Sequence, residues 1–330
     1  MTDHNLDNLL SQLNLNHKDI ISKAIEDLLH IDKHSNSEND VRLTQVTIQE
    51  LKETYDVYQS TRDIPKACIF GSARSKPDHP NYIMSEGVAK RLIDIGFMTI
   101  TGAGPGIMEA GNKGAGRDHS FGLNIILPFE QDANEFILND PKLIDYKYFY
   151  TRKLAFIKES HASICFPGGF GTHDEGFEVL TLIQTGRCAP RPVIMMSHPE
   201  SNYWERWEKY IKDQLLDRHY ISPEDMDIFQ ITKSVDECID MIASFYKNYH
   251  SIRYIGKTGI IRIKEKLDPA LLKELSKEFS DIACNGDFTQ GDFDMCPEDS
   301  HHYTDMHRLV FPFNKVNYGR LYKLIEKINQ

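Results

Sequence analysis

A glycine-rich segment followed directly by acidic residues offers the clearest chemistry in this chain. Residues 166–178 read FPGGFGTHDEGFE and follow the short apolar run ASIC. Gly168, Gly169 and Gly171 let the backbone turn sharply and approach a ligand, so the free N–H groups that begin the next helix can bind a phosphate. Glu175 follows in the first turns of that helix. Its carboxylate suggests chemistry as well as binding.

The same residues also fit a purely structural pattern. Thr172 and Glu175 match the S/T-x-x-E capping box, in which the threonine caps the helix and the glutamate binds back to the cap N–H. A second glycine-rich turn within residues 97–116, FMTITGAGPGIMEAGNKGAG, again follows a β-rich apolar run and contains Gly104 and Gly106. Two such turns in one sheet favour a ligand site over capping alone.

Size and composition indicate a soluble globular protein. The chain has 330 residues, enough for about two domains, with 40% hydrophobic and 26% charged residues. The formal net charge of −11 argues against general affinity for nucleic acid or anionic membranes. We therefore expect neither as a partner.

The remaining composition predicts a cytoplasmic protein. The six cysteines are scattered without a C-x-x-C pair, as expected of reduced thiols. The first residues lack a basic region followed by an apolar core, and no run approaches the roughly 18 apolar residues of a membrane span.

The order of predicted elements divides the chain into three parts. Residues 1–62 are predicted to form an N-terminal helical arm, with Leu9, Leu10 and later apolar residues at helical spacing. Residues 63–249 alternate between short apolar strands and helices, which predicts an α/β fold with a Rossmann-like, doubly wound parallel sheet. Residues 250–330 are predicted to form a small α+β appendage. Both glycine-rich turns fall at the carboxyl ends of strands, where such sheets bind ligands.

The pattern also predicts where the individual elements lie. Strands are expected at 66–70, 97–100, 121–127, 163–166, 192–196, 229–232, 259–264 and 308–313. Helices are expected at 82–95, 106–117, 151–159, 172–185, 203–216, 235–246, 269–279 and 318–328, and the stretch after residue 127 is expected to be irregular.

Three segments together resemble one known family. GSAR at 71–74, TGAGPGIMEA at 101–110, and PGGFGTHDE at 167–175 with the preceding TRK at 151–153 are similar to motifs of the LOG family of nucleoside 5′-monophosphate phosphoribohydrolases, long mislabelled "lysine decarboxylase". The resemblance covers roughly residues 60–250. With its arm and appendage, the chain looks more like bacterial pyrimidine/purine nucleotide nucleosidases than like the compact plant cytokinin-activating enzymes. The predicted catalytic domain is thus residues 63–249.

The resemblance implies hydrolysis of the N-glycosidic bond of AMP or a related nucleotide, giving free base and ribose 5-phosphate without a cofactor. It implies that Glu175 and Arg152 are catalytic, with Arg152 either holding a phosphate or ribose oxygen or pairing with Glu175. Gly104, Gly106, Gly171 and Thr172 would bind the phosphate. The other expected substrate contacts are Gly71, Ser72, Arg74, Met108, Glu109, Gly168, Gly169 and Glu178. Lys153 is expected at the surface and His173 in solvent.

The family resemblance also implies a homo-oligomer, with a dimer as the minimum unit. The main alternative is a non-catalytic nucleotide sensor on the same fold. A Rossmann dehydrogenase is disfavoured because the GxGxxG spacing is missing, and a pyridoxal-phosphate decarboxylase because no lysine carries a motif for that role. The polar stretch 284–302 contains Cys284, Cys296, His301 and His302 among its possible ligands, but its spacing matches neither a zinc knuckle nor an EF-hand. No metal site is predicted.

Overall fold

The computed structural model describes residues 13, 15–35, 37–128, 132–284, 286–296, 299 and 303–330. Leu9 and Leu10 of the predicted arm, and His301 and His302, lie outside these described residues.

A seven-stranded parallel sheet forms the centre of the molecule. Its strands are β1 (Lys66–Phe70), β2 (Met98–Thr101), β3 (Ser120–Ile125), β4 (Leu143–Tyr146), β5 (Ala162–Cys165), β6 (Val193–Met196) and β7 (Gln230–Thr232). They lie in the order β4-β3-β2-β1-β5-β6-β7. The chain builds the sheet outward from β1 to β4 and then returns to place β5 beside β1. This reversal makes the β1/β5 boundary the switch point, where open α/β sheets bind ligands.

Helices cover both faces of this sheet. The described helices are α1 (Lys18–His34), α2 (Glu38–Tyr58), α3 (Pro80–Asp94), α4 (Ile107–Ala115), α5 (Phe149–Glu159), α6 (Phe170–Gln184), α7 (Tyr203–Ile211), α8 (Val235–Phe245), α9 (Pro269–Glu278) and α10 (Tyr318–Ile328).

Alternate residues of β1 belong to two separate cores, as expected when both sides of a strand are buried. Cys68 and Phe70 pack with α2, α5, α6 and α7. Ala67 and Ile69 pack with α3, α4 and α8. The predicted α/β fold is confirmed.

The C-terminal part forms a second, antiparallel sheet. Its strands are β8 (Tyr249–Ile255), β9 (Thr258–Ile263), β10 (Thr289–Gly291) and β11 (His307–Pro312), in the order β10-β11-β9-β8. The apolar sides of β9 and β11 pack with α9 and α10 in a core of their own. The small α+β appendage of the predicted fold is therefore present.

Three strands differ from the sequence-based prediction. β4 lies in the stretch that was expected to be irregular, and β8 and β10 were not predicted at all. β4 and β8 mix polar and apolar residues, β10 reads Thr-Gln-Gly, and each of the three lies at the edge of its sheet. Edge strands bury less side-chain surface, so their sequences lack the apolar run that marked the other strands. The helix expected at 203–216 is α-helical to Ile211 and continues as a π-helical turn over Lys212–Leu216.

The arm consists of two helices with different surroundings. No residue of α1 is buried. In contrast, α2 buries Glu50, Thr54 and Tyr58 against the main body. Within the described residues, none of the helices has both the length and the apolar composition needed to cross a membrane.

Candidate active site

A cavity of about 700 Å³ lies at the carboxyl ends of β1 and β5. It is lined by ten of the residues expected from the sequence, namely Gly71, Ser72, Arg74, Met108, Arg152, Gly168, Gly169, Gly171, Thr172 and Glu175. The lining also contains residues that the sequence did not indicate, namely Phe70, Ala73, Phe149, Phe170, His173 and Asp174. The structure thus brings the glycine-rich turn, Glu175 and Arg152 to one site.

Four expected contact residues lie outside this lining, and three of them follow β2. β2 is one strand further from the switch point than β1, so its turn lies behind the loop that follows β1. Gly104 accepts a hydrogen bond from the Asn134 side chain through its carbonyl, at 3.1 Å. Glu109 accepts one from the Tyr82 hydroxyl at 2.6 Å. These contacts support the loops around the cavity.

The loops after β1, β2 and β5 are joined through the backbone of Ser72. Its N–H donates to the Pro167 carbonyl, and its carbonyl accepts from the Ile107 N–H, both at 3.1 Å. Gly106 has a φ of +70°, and a Cβ there would lie 2.4 Å from the Ser72 oxygen. A Cβ on Gly168 would lie 2.1 Å from Thr172 Oγ1. Both glycines are therefore required by close packing of the loops.

The helix behind the glycine turn begins earlier than a capping box requires. α6 starts at Phe170, with Gly169 as the N-cap and no side-chain cap, so Thr172 already lies inside the helix. The capping-box interpretation is therefore wrong. No hydrogen bond to an acceptor in the described part of the chain uses the N–H groups of Phe170 and Gly171. Both residues line the cavity, so the helix start presents free donors and its dipole to an anion.

Glu175 is buried in the cavity wall, with 7% of its surface exposed. Burial raises the pKa of its carboxyl from 4.5 to about 7, although the positive charges of Lys153 and Arg152 oppose this rise. The nearby carboxylates of Glu178 and Asp174 raise it further. Glu175 is therefore close to half-ionised at neutral pH, the condition in which a carboxyl group can exchange protons.

Arg152 reaches the cavity as an unpaired cation. Its guanidinium carbon lies 5.2 Å from the centre of the Phe156 ring and 5.9 Å from that of Phe149. Its Nε is buried and has no hydrogen-bond partner among the described residues. A Cβ on Gly102 would lie 2.9 Å from its Nη2, so that glycine leaves room for the guanidinium. Burial lowers the pKa of Arg152, while the charge of Glu175 opposes this effect.

The direct pairing of Arg152 with Glu175 that the sequence suggested is absent, because no ion pair within 4.0 Å joins Arg152 to a described carboxylate. An unpaired, partly buried guanidinium beside a cavity favours binding of an anionic or polar ligand group.

Lys153, which was expected at the surface, instead lies among the acidic residues of α6, two of which line the cavity. Its side chain is only 15% exposed, and its Nζ lies 2.5 Å from Glu178 Oε2. It also lies 2.9 Å from Asp174 Oδ2 and 3.9 Å from Glu175 Oε2. Glu178 is thus the partner of Lys153 and does not line the cavity. One feature of the sequence could have separated the roles of Arg152 and Lys153. The two residues are adjacent in a predicted helix, and adjacent helical residues point in different directions.

His173 also differs from the expectation, because it is half-buried and not solvated. Its Nε2 lies 2.7 Å from the Tyr203 hydroxyl, which donates to the Gly168 carbonyl, also at 2.7 Å. Burial lowers the pKa of His173, which favours the neutral ring at pH 7. This chain of hydrogen bonds fixes the carbonyl of the glycine turn from behind.

The polar stretch of the appendage shows no metal site within its described residues. Cys284, Asp287, Asp292, Asp294 and Cys296 are described, and they do not form a group of three or more possible ligands around one point.

Fold and site together define an α/β protein of the Rossmann-like class with its cavity at the switch point of the sheet. Residues 105–242 match the family model described as "Possible lysine decarboxylase". That description is the former label of the LOG family, so the resemblance to this family is confirmed over residues 105–242. A search of curated proteins found no match.

A comparison with solved structures also found similar chains. TM1055 is 20% identical, covering 54% of this chain and 98% of its own, with a TM-score of 0.39. The molybdenum cofactor binding protein of Rippkaea orientalis is 17% identical, covering 55% and 96%, with a TM-score of 0.41. DNA processing protein A of Helicobacter pylori is 17% identical, covering 54% and 80%, with a TM-score of 0.36. At such low identity, none of these matches assigns a ligand or an activity to this chain.

Proposed function

We propose that this protein is a nucleoside 5′-monophosphate phosphoribohydrolase, which hydrolyses the N-glycosidic bond of AMP or a related nucleotide. The observation that supports this most directly is the position of Glu175. A buried carboxyl with a pKa of about 7 lies in the wall of a cavity that also presents a helix N-terminus and an unpaired arginine. The family matched over residues 105–242 makes this reaction the natural one for such a site.

In the proposed reaction, the 5′-phosphate binds the free N–H groups at the start of α6 and the Thr172 hydroxyl. A favourable helix terminus contributes about 0.3–2 kcal/mol for a nearby anion. Because the phosphate does not react, its binding energy can hold the ribose with C1′ near Glu175. Arg152 binds a phosphate or ribose oxygen from the opposite wall.

Bond cleavage then proceeds by attack of water. The bond between C1′ and the base nitrogen breaks, and its electron pair leaves with the base, which takes up a proton. The sugar gains oxocarbenium character, which the carboxylate of Glu175 stabilises. The water oxygen bonds to C1′ and loses a proton, for which ionised Glu175 is a suitable acceptor. The products are free base and ribose 5-phosphate, and no cofactor is needed.

We also propose that the protein acts as a homo-oligomer, with a dimer as the minimum unit. Four large apolar side chains are exposed beside the cavity, with Phe170 97%, Phe149 54%, Tyr150 47% and Leu154 47% exposed. Clustered exposed apolar side chains favour an interaction surface. Sedimentation equilibrium would test this assembly, and a monomer at micromolar concentration would contradict it.

The decisive experiment is a product assay on a panel of purine and pyrimidine monophosphates. We expect release of free base and ribose 5-phosphate by the wild-type protein and no turnover by a folded Glu175→Ala variant. Undiminished turnover in that variant would contradict the proposed role of Glu175. Tight binding of nucleotides without release of base would instead support a non-catalytic nucleotide sensor.

A further inference from the structure

We propose that Glu50, which lies in the N-terminal arm, is a positioning residue for Arg152. Only 4% of the Glu50 surface is exposed. One carboxylate oxygen accepts a hydrogen bond from the Lys147 N–H at 2.6 Å, and the other accepts one from the Thr151 hydroxyl. Both donors lie at the start of α5, and Arg152 is the next residue along that helix. The inference rests on the proposed function, in which Arg152 binds the substrate.

The carboxylate of Glu50 lies beside the N-terminus of α5, where a negative charge is favourable. The N-cap residue of α5 is Tyr148, and its side chain makes no capping hydrogen bond. A helix start carries unsatisfied N–H groups and a partial positive charge, which favour a nearby carboxylate. Glu50 places a carboxylate beside this helix start from another part of the chain, more than 90 residues away in sequence, and it bonds to the Lys147 N–H, two residues before α5, and to the Thr151 hydroxyl in the first turn. It thereby fixes the start of α5 to α2.

Further contacts along the same face of α2 hold it against α5 and against the neighbouring strands β3 and β4. The hydroxyls of Thr54 and Tyr146 are 2.6 Å apart, and those of Thr47 and Tyr150 are 2.7 Å apart. The Tyr58 ring stacks on Phe121 with 4.4 Å between ring centres. Residues 47, 50, 54 and 58 recur at helical spacing, so one side of α2 is built to contact the catalytic domain.

Arg152 depends on this support because nothing else fixes its polar end. Its guanidinium makes no hydrogen bond or ion pair to the described residues, and it lies beside the rings of Phe149 and Phe156 and close to Gly102. Its place in the cavity is therefore set mainly by where α5 lies. A misplacement of about 1 Å can lower a rate by about 100-fold, so a small shift of α5 would change turnover without unfolding the protein.

The first test compares Glu50→Gln with Glu53→Gln in the full-length protein. Glu53 is the matched control, because it lies one turn further along α2 and its carboxylate accepts a hydrogen bond from the exposed side chain of Gln49 at 3.0 Å, away from α5. Hydrogen–deuterium exchange should be about 10-fold or more faster for Glu50→Gln only, at the Lys147 N–H that bonds to Glu50 and at the Arg152 N–H that bonds to the Tyr148 carbonyl, since local opening governs exchange. Unchanged exchange there would overturn the proposal, whether or not the protein is an enzyme.

The second test is a double-mutant cycle on kcat/KM. Glu50→Gln alone should lower kcat/KM by about 10- to 100-fold, and Glu53→Gln should leave it within about 2-fold. In an Arg152→Lys background, where the planar guanidinium is already lost, Glu50→Gln should lower it by less than about 3-fold. Equal losses in both backgrounds would show that Glu50 acts on stability alone and would refute the positioning role.

A second variant covers the case in which Glu50→Gln folds poorly. Thr151→Val removes one donor to Glu50 from the α5 side and keeps the buried volume. It should show the same dependence on Arg152, with a smaller loss. If the wild-type protein cleaves no monophosphate, the proposed function fails, and the exchange experiment still decides whether Glu50 orders α5.

Discussion

Replacing Glu175 with glutamine should stabilise the protein in a pH-dependent way. The folded state raises the pKa of this carboxyl from 4.5 to about 7 because the side chain is buried. Between these two values the folded state binds more protons than the unfolded state, so stability falls as the pH rises. Glutamine has nearly the same shape and carries no charge to bury, so Glu175→Gln should not show this loss.

The size of the effect follows from the pKa shift. One pKa unit corresponds to about 1.4 kcal/mol, so burying ionised Glu175 costs the folded state about 3 kcal/mol at pH 8. At pH 5 the carboxyl is protonated in the folded protein, and the cost is less than about 1 kcal/mol. Glu175→Gln should therefore raise the free energy of unfolding by up to about 3 kcal/mol at pH 8 and by little at pH 5.

Urea unfolding at the two pH values, followed by tryptophan fluorescence, would measure this difference. Trp204 and Trp207 are both buried in the core beside α6, so their emission reports on unfolding of the catalytic domain. Glu178→Gln is the matched control, because this residue lies on the same helix and pairs with Lys153 at 2.5 Å outside the cavity. It should change stability by no more than about 1 kcal/mol, without a gain at pH 8.

A loss of stability in Glu175→Gln at pH 8, or an equal gain at both pH values, would refute the reasoning. The first result would mean that folding stabilises ionised Glu175, and the second that its pKa is the same in the folded and unfolded states. Stabilisation of a protein by loss of a catalytic group is the expected sign of an active site that sacrifices stability for function.

Three further predictions concern the cavity. The value of kcat/KM should rise with pH up to about 7 and then level off, because Glu175 must be ionised in the free enzyme, and a flat profile from pH 6 to 8 would contradict this. Gly168→Ala should raise KM about 10-fold or more, since its Cβ would lie 2.1 Å from Thr172 Oγ1; Gly87→Ala, whose Cβ would meet its nearest neighbour at 3.8 Å, should leave KM unchanged. Tyr203→Phe should lower the free energy of unfolding by about 1 kcal/mol through loss of the hydrogen bond to the Gly168 carbonyl, and an unchanged urea midpoint would contradict it.

The sequence predicted the interior of the sheet better than its edges. The strand at Lys66–Phe70 was predicted with its observed bounds, because it is buried on both faces and its last four residues, ACIF, are all apolar. β4 was missed because its residues alternate in exposure. In the arm, the prediction rested on leucine and isoleucine spacing, whereas the buried face of α2 includes polar residues such as Glu50 and Thr54.

In the candidate site, too, some residues could be predicted from the sequence and others could not. The glycine turn, Glu175 and Arg152 could be placed together because motifs and the sheet rule locate them. The sequence alone could not distinguish a capping box from a cavity residue at Glu175, because residues 172–175 fit both interpretations. The role of Lys153 depends on which direction α5 faces relative to α6, and that relation is set by tertiary packing.

Three loops join at the backbone of Ser72, and the glycines that this packing requires are different residues from those proposed to react. Several glycines in the motifs are dictated by loops that touch one another, as at Gly106 and Gly168, so part of the recognisable pattern records how the cavity is assembled. Under the proposed function, a descendant that exchanged Glu175 for an inert side chain would keep every glycine of the motifs and would bind a nucleotide without cleaving it. Among proteins that share this glycine pattern, inspection of two positions, 152 and 175, should therefore distinguish hydrolases from nucleotide-binding proteins without activity.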